Sequence, residues 1–478
     1  MVFSSPLFFL LFLPLVLGAY YVAPRRARNG VLLVASLVFY VWGELRYVPL
    51  VLGSVVFNGW IGIRIGDAAA APARRRWLAL GVTVNLAALA VFKYANFAFE
   101  NWAAVAPLLG VAPNAVAIAT IPLPLGISFF TFHAISYVVD VYKRNAAPQR
   151  HLPTFALYIL LFPQLIAGPI IRWRDIAQQL AERRERLADV AYGVRRFVIG
   201  LAKKVLIANT LGRIADAIFA LPAAELTTPV AWLGLVCYTL QIYFDFSGYS
   251  DMAIGLMRMF GFRILENFNY PYISRSVREF WRRWHISLSN WFRDYLYLPL
   301  GGNRRGRLRE YANLVIVFLL CGLWHGASWP FVLWGAWHGV FLVVERAGFG
   351  RVLERSRAVA HVYALAAVML GWVLFRCDTL VHAGGYYAAL AGFATGDPSR
   401  VPLAQWLDPL AIATLVVAVV FAAPVAPMLG RWRDRLAASP RAGGVTLTLD
   451  FAGLAVLLWA SAAFLAAGTY NPFIYFRF

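Results

Sequence analysis

An uninterrupted apolar stretch near the N-terminus reads Phe3-Ser-Ser-Pro-Leu-Phe-Phe-Leu-Leu-Phe-Leu-Pro-Leu-Val-Leu-Gly-Ala-Tyr-Tyr-Val-Ala23 and contains no charged residue. A helix needs about 20 such residues to cross the hydrocarbon core of a bilayer. The basic residues Arg25, Arg26 and Arg28 follow the stretch, whereas a cleavable secretory signal carries its basic residues before the apolar run. The pattern therefore predicts a retained membrane anchor that enters with its N-terminus outside.

Apolar runs of similar length recur along the chain as far as residues 447–467. The 478 residues are 61% hydrophobic and only 14% charged, which lies outside the range of ordinary soluble domains. The length rule gives roughly ten to twelve membrane spans. The predicted fold class is all-α, a polytopic integral membrane protein with additional re-entrant and interfacial helices.

Lysine and arginine give the chain a formal net charge of +21. Short loops that are rich in these residues stay on the cytoplasmic side of a membrane and are attracted to its anionic lipids. Membrane topology therefore accounts for the charge, and we exclude nucleic acid as a partner. The segments expected to be cytoplasmic are 74–76, 143–144, 183–186, 275–309, 351–357 and 431–435.

The first half of the chain divides into a scaffold and a more polar part. Residues 1–98 predict four apolar helices, joined by a turn at 44–47 and a loop at 67–76. Residues 123–141 predict a span that faces the protein interior, because it carries more polar side chains than lipid contact tolerates. These side chains are Ser128, Thr131, His133, Ser136 and Asp140. Prolines and a glycine interrupt residues 157–171, which indicates a re-entrant segment, and residues 173–196 predict a cytoplasmic surface helix.

Residues 232–260 form a long apolar run that is polar in its middle. Its carboxylates, Asp245 and Asp251, are expected to line an interior cavity, on different faces of the helix because they are six residues apart. Residues 275–310 combine arginine with aromatic side chains, which is typical of a helix lying in the cytoplasmic interface.

The predicted domain organisation is a single membrane domain over residues 1–478. It consists of the scaffold helices 1–98, a catalytic core at 121–346 and C-terminal helices at 358–478. The core ends with helices at 311–323 and 329–345, and the last three spans begin near residues 358, 410 and 447.

Three of the seven histidines are candidates for chemistry, because imidazole exchanges protons near neutral pH and is costly to bury in a membrane without a task. His325 is the first choice for a general base, since glycines flank it in Gly322-Leu-Trp-His-Gly-Ala-Ser328 and allow a substrate to approach closely. A buried histidine that is hydrogen-bonded to a helix end explains it equally well. His285 could position a substrate or orient His325, and interfacial packing explains it equally well. For His338 we favour packing.

Other chemistry finds little support in the sequence. The arginines of residues 275–309 could bind the phosphates of coenzyme A, although topology explains them equally well. We find no glycine-rich phosphate loop, serine nucleophile elbow or metal-ligand spacing. Cys237, Cys321 and Cys377 are far apart and are expected to be buried as small apolar residues. We therefore expect no metal and no permanently bound cofactor.

Several motifs closely resemble the membrane-bound O-acyltransferase family: residues 277–297, Pro299-Leu-Gly-Gly-Asn303 and the stretch around His325. More narrowly, other motifs look like its bacterial alginate O-acetylation branch. These are Met1-Val-Phe-Ser-Ser5, Phe162-Pro-Gln-Leu-Ile-Ala-Gly-Pro169, Asp245-Phe-Ser-Gly-Tyr-Ser-Asp251, Glu266-Asn-Phe-Asn-Tyr-Pro271 and the tail Tyr470-Asn-Pro-Phe473. The resemblance implies a ring of helices around a thin centre, where a tunnel joins a cytosolic donor site to an acceptor on the far side.

The resemblance also implies roles for individual residues. His325 aligns with the catalytic histidine of the family, and His285 aligns with its second signature position. The implied reaction transfers acetyl groups from a cytosolic donor, acetyl-CoA, across the bacterial inner membrane to an exported polysaccharide such as alginate, with periplasmic partner proteins completing delivery. Further candidates for donor or substrate binding are Asp245, Asp251, Arg282, Arg283, Asn290, Trp324 and Ser328.

Two alternatives remain open at the level of sequence. The first is a transporter or flippase in which Asp245 and Asp251 act as coupling carboxylates. The second is a non-catalytic subunit of a polysaccharide export complex. The sequence also leaves open whether an acyl-enzyme forms on Ser328 or Cys321, which lie near His325 in the chain.

Overall fold

A computed structural model describes residues 3–111, 120–439, 442–468 and 470–472, which are helical and contain no β-strand. Met1, Val2 and Phe473 of the motifs above lie outside these residues. Five helices form the N-terminal part: α1 Leu13–Val22, α2 Arg28–Glu44, α3 Val48–Asp67, α4 Ala71–Leu89 and α5 Ala95–Val105.

The central and C-terminal parts contain the other helices of the described residues. The central ones are α6 Ile127–Tyr142, α7 Leu152–Leu160, α8 Phe162–Leu165, α9 Trp173–Ala181, α10 Leu187–Ala202, α11 Asn209–Phe219, α12 Thr228–Met259, α13 Val277–Arg283, α14 Ile286–Phe292, α15 Arg307–His325 and α16 Trp329–Val344. The C-terminal ones are α17 Gly350–Leu353, α18 Arg357–Arg376, α19 Leu380–Leu390, α20 Pro409–Ala422, α21 Val425–Ala437 and α22 Gly443–Ala467.

Six helical stretches of the described chain are long and apolar enough to cross a bilayer, or seven if the bent pair α20 and α21 is one span. This number is lower than the ten to twelve expected from apolar runs. One stretch, Arg25–Asp67, contains both α2 and α3, which are separated by a break at Glu44. Phe8–Val22 and Ile127–Tyr142 are apolar but shorter. The number of long stretches is therefore lower than the number of apolar runs, because one stretch can contain two helices and the shorter apolar helices are not counted.

The most buried long helix is α12, which packs closely against α10. A Cβ atom added to Gly193 would lie 2.6 Å from the carbonyl oxygen of Gly255, and one added to Gly255 would lie 2.6 Å from the carbonyl oxygen of Gly193. A Cβ atom added to Gly200 would lie 2.6 Å from the carbonyl oxygen of Gly248. Small residues let helix backbones approach in this way within membranes. Two glycine contacts therefore fix α10 against the centre of the molecule.

Helix α6 confirms the prediction of an interior span, although it begins at Ile127 rather than at residue 123. Its polar side chains are all buried: Ser128, Thr131, His133, Ser136 and Asp140. Asp140 accepts a hydrogen bond of 2.9 Å from the hydroxyl of Tyr295. The polar residues of α6 thus face other helices.

The interrupted segment at 157–171 breaks at Leu161, between α7 and α8, and is buried throughout. Side chains satisfy its freed backbone groups: Ser36 accepts from the amide of Phe162 at 3.1 Å, and Ser287 accepts from the amide of Ile170 at 3.0 Å. Protein contacts of this kind are what irregular backbone requires at membrane depth. The re-entrant course of the segment stays a prediction.

Three boundaries differ from the sequence prediction. Helix α4 begins at Ala71, so Arg74, Arg75 and Arg76 belong to its first turns rather than to a loop; arginine favours helix almost as strongly as alanine. The expected helix at 173–196 is divided into α9 and α10, because Glu185 between them is held by Arg28 at 2.8 Å. The expected interfacial helix at 275–310 is divided into α13 and α14 with a break at Trp284.

Candidate active site

His325 is the last residue of α15, and the chain becomes extended at Gly326 before α16 starts. Helices α15 and α16 approach closely at two glycines. A Cβ atom on Gly322 would overlap the carbonyl oxygen of Phe331 and lie 3.2 Å from the Cα atom of Gly335. The helix hairpin therefore holds the imidazole at a defined point, since neither helix can move toward the other.

Aromatic rings surround the imidazole of His325, which is 4% exposed. Its ring centroid lies 5.0 Å from that of Trp324, 5.1 Å from that of Trp334 and 5.1 Å from that of Phe375, all in edge-to-face arrangements. These rings exclude water from most of its surface. Proton transfer by His325 would then take place in a medium of low dielectric constant, where fixed charges act strongly.

Two cavities flank the end of α15. A cavity of about 320 Å³ is lined by both Trp324 and His325, together with Lys93 and Ser128. A larger cavity of about 540 Å³ is lined by Gly326 and by Ser328, again with Lys93. Successive residues of the chain therefore line the two cavities, with His325 at the smaller one and Gly326 at the larger one.

His285 lies between α13 and α14, is completely buried, and adopts a left-handed backbone conformation with φ 44°. Its Nδ1 atom is 3.3 Å from Oδ1 of Asn267 and 3.4 Å from the hydroxyl of Ser287. Its Nε2 atom has no hydrogen-bond partner among the described residues. The ring lies 6.3 Å from that of Trp324, the neighbour of His325. Both predicted histidines thus contact one tryptophan.

Asn267 was not singled out by the sequence. Its Oδ1 atom accepts hydrogen bonds from the amide and the hydroxyl of Ser287, at 3.1 and 2.9 Å, and so fixes the loop that carries His285. Lys93 was also missed, although a lysine inside the apolar run 77–99 is a visible signal. Only its contacts reveal the role of Asn267, whereas Lys93 could have been found from the sequence.

The predicted donor- or substrate-binding carboxylates lie in ion pairs on α12. Asp245 is 2.6 Å from Lys204, and Asp251 is 2.7 Å from Lys203 and 2.6 Å from Arg196. Neither carboxylate is among the residues that line the two cavities beside His325. The structure therefore does not bring them to this site, and their binding role stays a prediction.

The remaining candidates fall into two groups. Trp324 and Ser328 line the cavities. Arg282 is exposed on α13, Arg283 next to it pairs with Glu279 at 2.9 Å, and Asn290 is half-buried on α14. These last three line neither cavity.

A cluster of arginines surrounds Asp294 in the helical turn after α14. Its carboxylate lies 2.7 Å from Arg172, 2.5 Å from Arg174 and 2.8 Å from Arg293. Burial alone would raise the pKa of Asp294, but the hydrogen bond and charge of Arg293, with those of the other arginines, hold the pKa below its ordinary value. Asp294 therefore stays ionised and keeps these cations together.

The other candidates have packing contacts. His338 is fully buried, and its Nδ1 atom accepts a hydrogen bond of 3.4 Å from the indole of Trp281. Cys237, Cys321 and Cys377 are free and buried, as predicted. Within the described ranges no group of three or more histidine, cysteine, aspartate or glutamate side chains could hold a metal ion.

Residues 125–356 match the family described as MBOAT, membrane-bound O-acyltransferase family. A protein of Azotobacter vinelandii described as "Probable alginate O-acetylase AlgI" is 46% identical over 504 residues, spanning 100% of both chains. The peptidoglycan O-acetyltransferase of Helicobacter pylori is 36% identical over 420 residues, covering 80% of this chain and 78% of its own. The teichoic acid D-alanyltransferase of Bacillus subtilis is 32% identical over 231 residues, covering 46% of this chain and 58% of its own.

The family match over residues 125–356 includes both His285 and His325. The similarity to the Azotobacter protein covers the whole length of both chains, and the apolar helices are those of a multi-pass membrane protein. This protein is an O-acyltransferase that belongs to the membrane-bound O-acyltransferase family.

Proposed function

We propose that this enzyme moves acetyl groups from a cytosolic donor, acetyl-CoA, across the bacterial inner membrane for the O-acetylation of an exported polysaccharide, with alginate as the first candidate. The observation that carries the proposal is a buried histidine, His325, that lines one cavity and directly precedes Gly326, a lining residue of a second cavity. Two of the three relatives are described as acting in O-acetylation of a polymer, which supports a polysaccharide as the acceptor.

The proposed reaction needs one proton acceptor and no metal. His325 takes the proton of the acceptor hydroxyl while that oxygen attacks the thioester carbonyl carbon. The new C–O bond forms, the C–S bond breaks, and the proton passes to the leaving sulfur, so the products are an ester and a free thiol. A positioned general base typically contributes about a hundred- to ten-thousandfold in rate.

The immediate acceptor is proposed to be a periplasmic partner protein or the sugar hydroxyl itself. The arginines of residues 275–309 supply positive charge for the phosphates of the donor. His285, which contacts the same tryptophan as His325, is proposed to align donor or acceptor.

The test uses a strain that lacks the chromosomal gene and carries either wild type, His325→Ala or His382→Ala. His382 lies at the exposed start of α19 and serves as a matched histidine control. We expect wild type and His382→Ala to restore acetyl groups on the exported polysaccharide and His325→Ala not to, at equal protein levels in the membrane. Full restoration by His325→Ala would refute the assignment.

The same strain separates the two alternatives. A transporter would lose function when Asp245 or Asp251 is replaced and keep it when His325 is replaced. A non-catalytic subunit would release no thiol from acetyl-CoA when purified into nanodiscs and supplied with an alginate oligosaccharide as acceptor. Thiol release by wild type, reduced at least a hundredfold in His325→Ala, would exclude both.

A further inference from the structure

Lys93 is a buried lysine in the middle of an apolar helical stretch, Ala71–Leu109. The side chain is 7% exposed, and no carboxylate of the described residues forms an ion pair with it. It belongs to a π-helical turn, Ala90–Tyr94, and such turns are frequently found at functional sites. Burying a cation without a counter-ion is costly, so its place calls for an explanation.

The amine of Lys93 is held beside the proposed general base. Its Nζ atom donates a hydrogen bond of 3.2 Å to the hydroxyl of Ser128 and another to the carbonyl oxygen of Trp324. Trp324 directly precedes His325 in the chain. Lys93 is also a lining residue of both cavities. Its amine therefore lies where the two cavities share a wall.

A purely structural explanation is available, because the last carbonyl groups of a helix lack helical partners. Lys93 caps the carbonyl of Trp324, and its neighbour Tyr94 caps that of Leu323 with a hydrogen bond of 2.8 Å. Tyr94 does this with a neutral hydroxyl and lines neither cavity. Capping alone therefore does not require a charged group that also faces both cavities.

We propose that Lys93 is a catalytic residue whose ammonium group donates a hydrogen bond to the acyl carbonyl oxygen during transfer. The inference rests on the proposed function. An ammonium has three N–H donors, and Ser128 and Trp324 take two of them. The third is available to a thioester bound in the smaller cavity, or to the ester formed from it.

The role of Lys93 leaves the balance of the reaction unchanged. When the acceptor oxygen attacks, the π electrons of the carbonyl move onto its oxygen, and the ammonium stabilises that negative charge without giving up a proton. The electrons return when the C–S bond breaks. His325 alone carries the proton from the acceptor to the sulfur. A fixed donor of this kind acts most strongly in a site from which water is excluded.

The experiment compares Lys93→Met, Lys93→Gln and Tyr94→Phe, each purified as the full chain in nanodiscs and assayed for thiol release from acetyl-CoA, with an alginate oligosaccharide as the acceptor of the acetyl group. Methionine matches the length of lysine without charge, and glutamine keeps an N–H group that can still cap Trp324. Tyr94→Phe is the matched control, because it removes one hydrogen bond to the next carbonyl of the same helix end.

We expect kcat to fall about a hundred- to thousandfold in Lys93→Met, the usual cost of losing one oxyanion donor, with little change in KM. We expect Lys93→Gln to lose at least tenfold and Tyr94→Phe no more than about tenfold, since a single net hydrogen bond is a small effect. If the Lys93→Met protein does not accumulate in the membrane, the kcat of Lys93→Gln tests the inference instead.

Equal losses of kcat in Lys93→Met and Tyr94→Phe, or full activity of Lys93→Gln, would overturn the inference and leave helix capping as the explanation. A wild-type protein that releases no thiol and restores no acetyl groups in cells would instead refute the proposed function, and the inference would fall with it. The two failures are therefore distinguishable.

Discussion

Lys204 and Asp245 form an ion pair of 2.6 Å in which the side chains are only 3% and 2% exposed. The lysine belongs to the π-helical turn Lys203–Ala208, and the aspartate lies in the middle of α12. The pair therefore joins two segments at the centre of the molecule. Removing one partner of a buried pair leaves an uncompensated charge, which typically costs about 3–5 kcal/mol.

The first prediction is that Asp245→Asn lowers the free energy of unfolding by about 3–5 kcal/mol. The double variant Lys204→Met with Asp245→Leu should regain most of the lost free energy of unfolding, because apolar residues of similar volume can replace a buried ion pair. Thermal unfolding in detergent measures both. Asp67→Asn, which breaks an exposed pair with Arg150, is the control and should change stability by less than about 1 kcal/mol. A stable but inactive Asp245→Asn would show that Asp245 acts on substrate.

The second prediction concerns the helix hairpin that carries His325. Gly322→Ala should separate α15 from α16, because the added Cβ atom overlaps the carbonyl oxygen of Phe331. We expect a loss of about 1–3 kcal/mol in stability and up to about a hundredfold in acyl transfer, the typical effect of a 1 Å misplacement. Gly453→Ala is the control, since a Cβ atom there meets nothing within 4 Å. Unchanged transfer by a folded Gly322→Ala would contradict the prediction.

The third prediction uses the left-handed backbone of His285, with φ 44°. Asparagine tolerates this conformation better than alanine and keeps a polar group near Asn267. His285→Asn should therefore retain more protein in the membrane and a larger kcat than His285→Ala, with KM for acetyl-CoA measured alongside. If both variants turn over at the wild-type rate, the imidazole of His285 has no part in the reaction.

The fourth prediction is a pH dependence of stability from Asp294. The pKa of Asp294 in the folded protein lies below the ordinary value, which is about 3.9 for an aspartate. The ionised carboxylate therefore adds to the stability of the folded protein at pH values above that ordinary value. This contribution is lost as the pH falls through the folded pKa. The unfolding temperature of wild type should drop between about pH 5 and pH 3. Asp294→Asn should be less stable at pH 7 and show a shallower drop. Equal slopes for the two proteins would rule out Asp294 as the group responsible.

Much of the fold follows from local sequence properties. The polar residues of α6 predicted an interior helix, and the segments at 311–323 and 329–345 predicted two successive helices; the structure confirms both. Such features depend on which residue types lie next to each other in the chain. The break between α9 and α10 could not be predicted in this way, because Glu185 is held there by Arg28, which is 157 residues earlier.

The sequence by itself determined that the protein is a helical membrane protein and that His325 and His285 are its candidate histidines, because apolar length and motif spacing are properties of the linear chain. Only the tertiary structure decided which polar groups meet. It paired Asp245 with Lys204 away from the cavities beside His325, and it placed Lys93 against the carbonyl of Trp324, 231 residues later. The energy of a buried charge depends on the partners that packing brings within a few ångströms, and these partners are distant in sequence.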